Sequence, residues 1–296
     1  MMKSINTQKL LFVINPVSGS NNTDWEEVIS NYFSQSTHFI QLFLLTKDCN
    51  LQMLKDKINS VQPHQVIAVG GDGTVKLVAE CLLKTDIALG ILPAGSANGL
   101  AKELGISEDP NKALDIIVSG NSKKIHTTTV NDQLCIHLSD IGLNAYAMKK
   151  FERNGGRGMW GYLMATFKVL WQNPKMNIEI LIDGKYLKIK AFMIVIANGT
   201  MYGTGAVINP IGKLDDNFFE VIAIKQNSIP ELFKMVFSHE PYDSDKTEVF
   251  QTNALTMRSV KKVHFQIDGE YLGKVREVNA ILVPNSLKIT VPATVK

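Results

Sequence analysis

A glycine-rich loop directly after a short apolar run is the feature that most constrains this chain. Residues 66–69 (VIAV) form the β-branched run typical of a buried strand, and the sequence GGDGT follows at 70–74. A helical pattern begins at Thr74, so the glycines precede a helix N-terminus, which presents free N–H groups that suit a phosphate. Asp72 lies inside this loop, and a carboxylate beside a phosphate requires a cation or a transferable proton between them. The segment therefore indicates metal–nucleotide chemistry.

The loop differs from the commoner phosphate-binding loops. No G-x-x-x-x-G-K-[ST] sequence occurs, which argues against a P-loop NTPase. No G-x-G-x-x-G sequence opens the first helix, which argues against an ordinary dinucleotide-binding fold. A tight strand-to-helix turn alone would explain one or two of the glycines, but not three glycines around an aspartate.

Short apolar runs alternate with amphipathic stretches in the first 120 residues. We predict strands at 10–14, 39–45, 66–69 and 87–92, and helices at 25–32, 51–61, 75–83, 97–104 and 112–118. This alternation is typical of β-α-β units around a parallel sheet. Polar or glycine-rich loops follow all four strands, at the edge of the sheet where open α/β folds bind their ligands.

From about residue 124 the pattern becomes β-rich. Apolar or alternating runs lie at 124–130, 134–138, 176–182, 186–196, 218–224 and 260–267, and helical patterns lie at 159–171 and 230–237. Asp183-Gly184 is a hairpin signal. We therefore predict an α/β domain with a parallel sheet over residues 1–125, and an antiparallel, sandwich-like β-rich domain over residues 126–284. The C-terminal residues 285–296 are expected to return to the first domain.

Composition and charge restrict the class of protein. A chain of 296 residues suggests two domains, and a formal net charge of +3 is too small to indicate a nucleic-acid partner. No segment approaches the ~18 apolar residues of a membrane span, and the N-terminus does not resemble a signal peptide. The three cysteines are scattered, which is typical of free thiols in a reducing compartment. We expect a cytoplasmic protein without a transmembrane segment.

Six short blocks of this sequence resemble the bacterial diacylglycerol kinase catalytic domain family in their order and spacing. The blocks are NPVSG (15–19), GGDGT (70–74), LPAGSAN (92–98), ANGTMYG (197–203), LDDNF (214–218) and DGE (268–270). That family includes sphingosine and ceramide kinases and shares its nucleotide fold with NAD kinases. The resemblance covers residues 9–292 and implies an NAD kinase-like fold for the first domain.

The resemblance also implies an activity and a set of site residues. The activity is an ATP- and Mg²⁺-dependent transfer of phosphate to a lipid hydroxyl, with a diacylglycerol or sphingosine-like acceptor at a membrane surface. The implied ATP site consists of Asn15, Thr46, Gly70, Gly71, Asp72, Gly73, Thr74 and Ser96. Glu270 matches the family's proposed general base, and Asp72 would act through Mg²⁺ or on the acceptor hydroxyl. Asp216, with the backbone carbonyls of Lys213 and Phe218, matches a structural magnesium site.

Four positions depart from the family pattern. Lys76 and Leu77 replace Asn and Glu after GGDGT, Gly99 replaces an aspartate, and Asn217 replaces a glycine. Two alternatives to a lipid kinase therefore remain open: an NAD kinase-like activity, which shares GGDGT, and a catalytically inactive nucleotide-binding regulator. Asp140 lies between apolar runs. Both contact with the lipid headgroup and a structural role are possible for this residue. An exposed edge strand would allow a homodimer.

Overall fold

The computed structural model describes residues 7–19, 23–142, 145–146, 175–201, 207–225, 243 and 245–293. The chain divides into two compact units, one formed by Met1–Ile125 with Asn285–Lys296 and the other by His126–Pro284. The helices predicted at 159–171 and 230–237 lie outside the described residues. Within the described part, no helix is both long and apolar enough to cross a membrane.

The first unit is built on parallel strands with helices between them. Its elements are β1 (Lys9–Ile14), α1 (Trp25–Phe33), β2 (Phe39–Leu44), α2 (Leu51–Val61), β3 (Gln65–Gly70), α3 (Asp72–Leu82), β4 (Ala88–Pro93), α4 (Gly99–Glu103) and α5 (Pro110–Ser119). The strand order is β4-β3-β1-β2, with every pair parallel. Strands β3 and β4 are buried throughout, as expected of a parallel sheet covered on both faces. The predicted parallel α/β fold is confirmed.

The helices of this unit begin in two different ways. Asp24, Asn50 and Asp109 each cap a helix, because their side chains accept a hydrogen bond from a backbone N–H of the first turn of α1, α2 and α5. Helix α3 instead follows Gly71, which offers no side-chain cap. The N–H of Thr74 donates to the carbonyl of Gly71 at 2.9 Å, whereas the N–H groups of Asp72 and Gly73 have neither an intrahelical acceptor nor a capping side chain among the described residues.

Gln65 is a buried polar residue that links three segments of the first unit. Its Nε2 donates to the Oε1 of Gln8 at 2.9 Å and to the carbonyl of Ile117 at 3.1 Å, while its Oε1 accepts from the hydroxyl of Thr290 at 2.8 Å. Thr290 belongs to the last strand, β14 (Glu270–Val291), in which Ile289 pairs in parallel with Leu89 of β4. The C-terminal residues therefore complete this sheet.

The second unit is an antiparallel β structure. Its remaining strands are β5 (Asn121–Val130), β6 (Gln133–Cys135), β7 (Leu138–Gly142), β8 (Met176–Ile182), β9 (Lys185–Ala191), β10 (Met193–Ala197), β11 (Phe219–Ile224), β12 (Thr247–Thr252) and β13 (Ala254–Ile267). They pair in the order β12-β11-β10-β7-β13-β14, and the β8–β9 hairpin extends from β13. The predicted β-rich second half is confirmed. Strands β5 and β14 have residues in both units.

Some strand boundaries differ from the prediction. The run at 186–196 is two strands, β9 and β10, which are separated at Phe192. Strand β12 and the first part of β14 were not predicted. The Asp183-Gly184 hairpin is confirmed, with both residues at positive φ (49° and 75°) as a two-residue turn of this kind requires.

The Gln65 contacts predict a measurable stability difference. Gln65→Leu would leave the carbonyl of Ile117 and the hydroxyl of Thr290 buried without this partner, so we expect the free energy of unfolding to fall by about 1–3 kcal/mol. Chemical denaturation would measure the change. Gln41→Leu, an exposed position on β2, is the matched control and should change stability by less than about 0.5 kcal/mol. Equal stability of the two variants would contradict the role of Gln65.

Candidate functional site

The four parallel strands of the first unit end side by side. Ile14, the last residue of β1, is paired with Leu44, the last residue of β2, and Gly70 of β3 is paired with Pro93 of β4. The loops that follow the strands therefore begin at one level of the sheet. Asn15, Thr46, the 70–74 segment and Ser96 all lie in these loops or immediately after them, at the edge where open parallel sheets bind ligands.

Asn15 joins the loop after β1 to the start of α3. Its Nδ2 donates to the hydroxyl of Thr74 at 3.2 Å, and its Oδ1 accepts from the backbone N–H of Val17 at 3.2 Å. Its own N–H donates to the carbonyl of Val69 at 3.0 Å. Thr74 is buried, so the pair fixes the loop after β1 against the glycine-rich segment.

The glycine-rich segment makes a very short strand-to-helix connection. Strand β3 ends at Gly70 and α3 begins at Asp72, which leaves Gly71 alone between them. A Cβ atom on Gly71 would lie 3.2 Å from the Cα of Gly95, and one on Gly70 would overlap the side chain of Thr74. Gly73 is different, because a Cβ atom there would meet no atom within 4 Å. Close packing thus leaves little room for a side chain at Gly70 or Gly71, whereas Gly73 leaves space open beside the helix N-terminus.

The loop after β4 is closed by one asparagine. The Oδ1 of Asn98 accepts from the N–H of Gly95 at 2.9 Å, and its Nδ2 donates to the carbonyl of Gly95 at 2.9 Å. Asn98 is 6 % exposed and has a left-handed backbone with φ 54°, which asparagine adopts more readily than most residues. Ser96 lies at the exposed tip of this loop. Asn98 therefore shapes the loop that presents Ser96.

Asp72 occupies the first position of α3 and is half-buried. Its Oδ1 accepts from the backbone N–H of Leu100 in α4 at 3.3 Å. A carboxylate at a helix N-terminus is stabilised by the helix dipole, which explains why this charge is tolerated in a loop otherwise suited to anions.

Thr46 is exposed, and its side chain makes no hydrogen bond to any residue that the structure describes. Hydrogen bonds thus hold Asn15, Thr74 and Asp72 in the site, whereas no side-chain hydrogen bond to the described residues holds Thr46 or Ser96.

In the second unit, Asp268 and Gly269 form a two-residue hairpin turn between β13 and β14, and Glu270 follows it. Ile267 is paired with Glu270, and Asp268 and Gly269 have positive φ angles of 48° and 90°. The carboxylate of Asp268 accepts backbone N–H groups from Ile136 at 3.0 Å, from His137 at 2.9 Å and from Leu138 at 3.3 Å. Asp268 is therefore a structural anchor of the turn.

Glu270 has the opposite environment. It is exposed, and its side chain makes no hydrogen bond or ion pair within the described part of the chain. The turn that carries it is fixed by Gln266, whose Oε1 accepts from the N–H of Gly269 at 2.8 Å and whose amide donates to Asp140. Glu270 is thus an exposed carboxylate on a turn that is held by hydrogen bonds.

Two buried polar residues support this turn from behind. Gln266 is 0 % and Asp140 is 1 % exposed, and Asp140 also accepts from the N–H of Ala145 at 2.9 Å. Asp140 therefore has the structural role that the sequence left open. Gln266 was not identified from the sequence. The feature that could have indicated it is its position as a polar residue in an apolar strand, two positions before the Asp-Gly turn.

The 213–218 turn contains the predicted magnesium ligands. The Oδ1 of half-buried Asp216 accepts from the backbone N–H of Phe218 at 3.2 Å, and the carbonyl of buried Leu214 accepts from the N–H of His126 at 2.7 Å. Within the described ranges, no three His, Cys, Asp or Glu side chains come together as a metal site. A cation at this turn would therefore depend on backbone carbonyls, such as those of Lys213 and Phe218, beside one carboxylate. Such oxygen ligands suit Mg²⁺.

Comparison with known proteins assigns the chain to a family. The family model for the diacylglycerol kinase catalytic domain matches residues 9–130, and the model for the YegS C-terminal NAD kinase beta sandwich-like domain matches residues 140–291. The chain belongs to the diacylglycerol kinase catalytic domain family, and it is a phosphotransferase of the kinase class. The resemblance seen in the sequence is confirmed.

Individual relatives span most of the chain. A protein of Chromohalobacter salexigens named "Probable lipid kinase YegS-like" is 29% identical over 239 residues, which cover 77% of this chain and 76% of that protein. A Staphylococcus aureus diacylglycerol kinase is 26% identical over 219 residues, which cover 71% of this chain and 69% of that protein.

Solved structures share the fold. A diacylglycerol kinase from Bacillus anthracis superposes with a TM-score of 0.78 at 17% identity, covering 98% of this chain and 99% of its own. An NAD kinase from Archaeoglobus fulgidus in complex with ATP superposes with a TM-score of 0.55 at 12% identity, covering 95% of this chain and 93% of its own. The NAD kinase-like fold class is confirmed.

The glycine packing predicts that two glycines of the site will respond differently to substitution. In Gly95→Ala the new Cβ atom would lie 2.9 Å from the Oδ1 of Asn98 and 3.0 Å from the N of Gly71. We expect this overpacking to lower the free energy of unfolding by about 1–3 kcal/mol. Gly73→Ala is the matched control, and it should be neutral or stabilise α3 by up to about 1 kcal/mol. Denaturant titration of both variants tests the difference, and destabilisation by Gly73→Ala alone would contradict the packing described above.

Proposed function

We propose that this protein is a lipid kinase that transfers the γ-phosphate of ATP, with Mg²⁺, to the hydroxyl of a diacylglycerol or sphingosine-like acceptor. The observation that carries the proposal is the uncapped N-terminus of α3, which lies directly after Gly71 and beside the loop of Gly95. Free N–H groups in such a place bind phosphate oxygens. Membership of the diacylglycerol kinase family supports the kinase activity and the lipid acceptor.

The two units have different proposed roles. Residues 1–125 would bind the nucleotide, with residues 285–296 completing that domain, and residues 126–284 would bind the lipid. The proposed nucleotide-binding residues are Asn15, Thr46, Gly70, Gly71, Asp72, Gly73, Thr74 and Ser96. Backbone N–H groups of the 71–73 segment would contact phosphate oxygens, and the open space at Gly73 would admit them.

The proposed reaction uses two carboxylates, Glu270 and Asp72. The acceptor hydroxyl oxygen attacks the γ-phosphorus, the bond to the β–γ bridging oxygen breaks, ADP leaves, and the hydroxyl proton passes to Glu270. Asp72 would orient the Mg²⁺–nucleotide complex, since its charge beside phosphates is favourable only with a cation present. Mg²⁺ supplies charge neutralisation during phosphoryl transfer, and the protein supplies mainly positioning.

A second Mg²⁺ is proposed to be structural. Asp216 and the carbonyls of Lys213 and Phe218 are hard oxygen ligands, and the hydrogen bond from Phe218 to the Asp216 carboxylate already bends the turn around that side chain. Asn217, which replaces the family's glycine, is compatible with this turn, because the described backbone contains no positive φ angle at that position.

An assay with several acceptors tests the function directly. Radiolabelled ATP is incubated with the full chain, Mg²⁺ and separate preparations of diacylglycerol, sphingosine, ceramide, phosphatidylglycerol, monoacylglycerol and NAD. Labelled lipid supports the proposal. Labelled NADP without labelled lipid would instead favour an NAD kinase activity. ATP binding without any labelled product would favour an inactive nucleotide-binding regulator.

Glu270→Gln should lower turnover while leaving ATP affinity nearly unchanged. General-base assistance contributes about 10²–10⁴-fold in rate, and an amide cannot accept the hydroxyl proton. The lipid kinase assay measures turnover, and calorimetry measures ATP binding. Glu179→Gln is the matched control, because Glu179 is a carboxylate of the same unit whose exposed ion pair contributes little stability. If Glu270→Gln retained full turnover, Asp72 would be the better candidate for the base.

Asp72→Asn should impair ATP binding and turnover together. The amide keeps the size of the side chain and can still accept from the N–H of Leu100, but it no longer attracts Mg²⁺. Calorimetry of ATP in the presence and absence of Mg²⁺ isolates this effect, which should be confined to the Mg²⁺-containing titration. Asp56→Asn on the exposed face of α2 is the matched control. Normal Mg²⁺–ATP affinity in Asp72→Asn would contradict the assignment.

Asp216→Ala should abolish stabilisation of the protein by Mg²⁺. A cation that binds only the folded chain raises the melting temperature by mass action, and loss of the carboxylate removes that gain. The variant should also lose about 1 kcal/mol in the absence of Mg²⁺, because the N–H of Phe218 loses its acceptor. Thermal unfolding with and without Mg²⁺ measures both effects, and Asp215→Ala in the same turn is the control. An equal Mg²⁺ response in wild type and Asp216→Ala would exclude this metal site.

A further inference from the structure

The β13–β14 hairpin of the second unit contains a large irregularity. Arg258 is paired with Glu277, and the next pair is Val263 with Val275, so residues 259–262 lie opposite the single residue 276. A strand with extra residues bends away from its partner and exposes them. Val260 is 80 % exposed as a result. An apolar side chain therefore protrudes from the sheet instead of packing in the core.

Four exposed cationic side chains lie close to this apolar residue along the two paired strands. Lys261 and Lys262 follow it in the irregular segment, and Lys274 and Arg276 lie on the facing strand, all of them exposed. None of the four forms an ion pair with any residue that the structure describes. Residues 259–264 and 272–276 contain no aspartate or glutamate. The local charge is therefore strongly positive although the net charge of the whole chain is only +3.

The nearest carboxylates along the paired strands do not offset this charge. Glu277 bonds to Arg258, with Nε and Oε2 2.8 Å apart, and this hydrogen bond lowers the pKa of the Glu277 carboxyl below its usual value. Glu179, which pairs with Arg258 across β8, forms an ion pair of 3.2 Å with Lys188. Each of these acids is thus matched by its own cation.

We call Val260, Lys261, Lys262, Lys274 and Arg276 the basic hairpin patch, and we propose that it docks on the anionic surface of a phospholipid membrane. The side chain of Val260 enters the headgroup region, while the long side chains of the four cations contact lipid phosphates. The proposal rests on the proposed function, because a lipid acceptor resides in a membrane that the enzyme must reach.

The shape and chemistry of the patch favour a membrane over other anionic partners. A single protruding valine is too small to form the apolar centre of a protein–protein interface. Residues 259–263 and 274–276 contain no aromatic side chain, whereas proteins that bind single-stranded nucleic acids use aromatic platforms for the bases. An exposed apolar side chain close to several cations matches the layered chemistry of a lipid surface.

The expected affinity follows from the charges. Each lysine or arginine near an anionic membrane strengthens association by about fivefold, so removal of two should weaken it by about twenty-fivefold. The effect should diminish as salt rises, because the Debye length shrinks to about 8 Å at physiological ionic strength. Val260 contributes through burial of apolar surface, and this contribution should be nearly independent of salt.

Co-sedimentation of the full chain with vesicles tests the proposal. One set of vesicles contains phosphatidylcholine alone, and the other contains phosphatidylcholine with phosphatidylglycerol. Lys261→Ala/Lys262→Ala should lower partitioning onto the anionic vesicles by about twenty-fivefold at low salt. Lys57→Ala/Lys112→Ala, which removes the same charge from α2 and α5 of the first unit, should bind like the wild type. Val260→Ser should weaken binding at every salt concentration.

The outcomes separate this proposal from the proposed function. If both double variants bind anionic vesicles equally, or if the Lys261/Lys262 variant loses affinity for single-stranded nucleic acid but not for vesicles, the docking surface is wrong. Kinase assays on detergent-dispersed lipid provide the second readout. Normal activity there with reduced vesicle binding supports both proposals. If the Lys261/Lys262 variant binds vesicles less well and neither it nor the wild type has kinase activity, the result supports the docking surface and overturns the proposed function.

Discussion

The close backbone approach of Gly71 to Gly95 determines the form of the candidate site in the first unit. Neighbouring strands β3 and β4 end in register, and the N–H of Ala94 donates to the carbonyl of Gly70 at 3.0 Å. Side chains at Gly71 or Gly95 would separate the two loops. Their absence also removes any capping group from α3. The same constraint that packs the loops therefore leaves the helix N-terminus open to a phosphate.

The carboxylates around the β13–β14 turn divide into those that are held by several hydrogen bonds and one that is exposed. Asp268 accepts three backbone N–H groups, and Asp140 is held by Ala145 and Gln266. A carboxylate bonded in this way is fully engaged, and moving it would leave several buried donors without partners. Glu270 is only two residues from Asp268 but is exposed. Asp268 and Asp140 stabilise the turn between β13 and β14, and Glu270 is exposed directly after that turn.

The sequence predicted the first unit more accurately than the second, for a physical reason. Strands buried on both faces appear as continuous apolar runs, and the predicted bounds of β1 to β4 differ from the observed ones by one residue or less. In the second unit, β12 (TEVFQT) and residues 270–284 mix charged and apolar side chains without a strong period. Gln266 could not be identified as important, since the value of a buried polar side chain depends on partners distant in sequence, here Asp140.

Charge distribution shows the same dependence on tertiary structure. A net charge of +3 gives no reason to expect a strongly basic surface, because acids and bases are nearly balanced over the whole chain. Strand pairing changes this balance locally, since register places Lys274 and Arg276 beside Lys261 and Lys262 while it pairs Glu277 with Arg258. Electrostatic interactions in salt solution act over a Debye length of about 8–10 Å, which is shorter than a strand of this length. A membrane would therefore respond to the charge of one hairpin rather than to the charge of the protein.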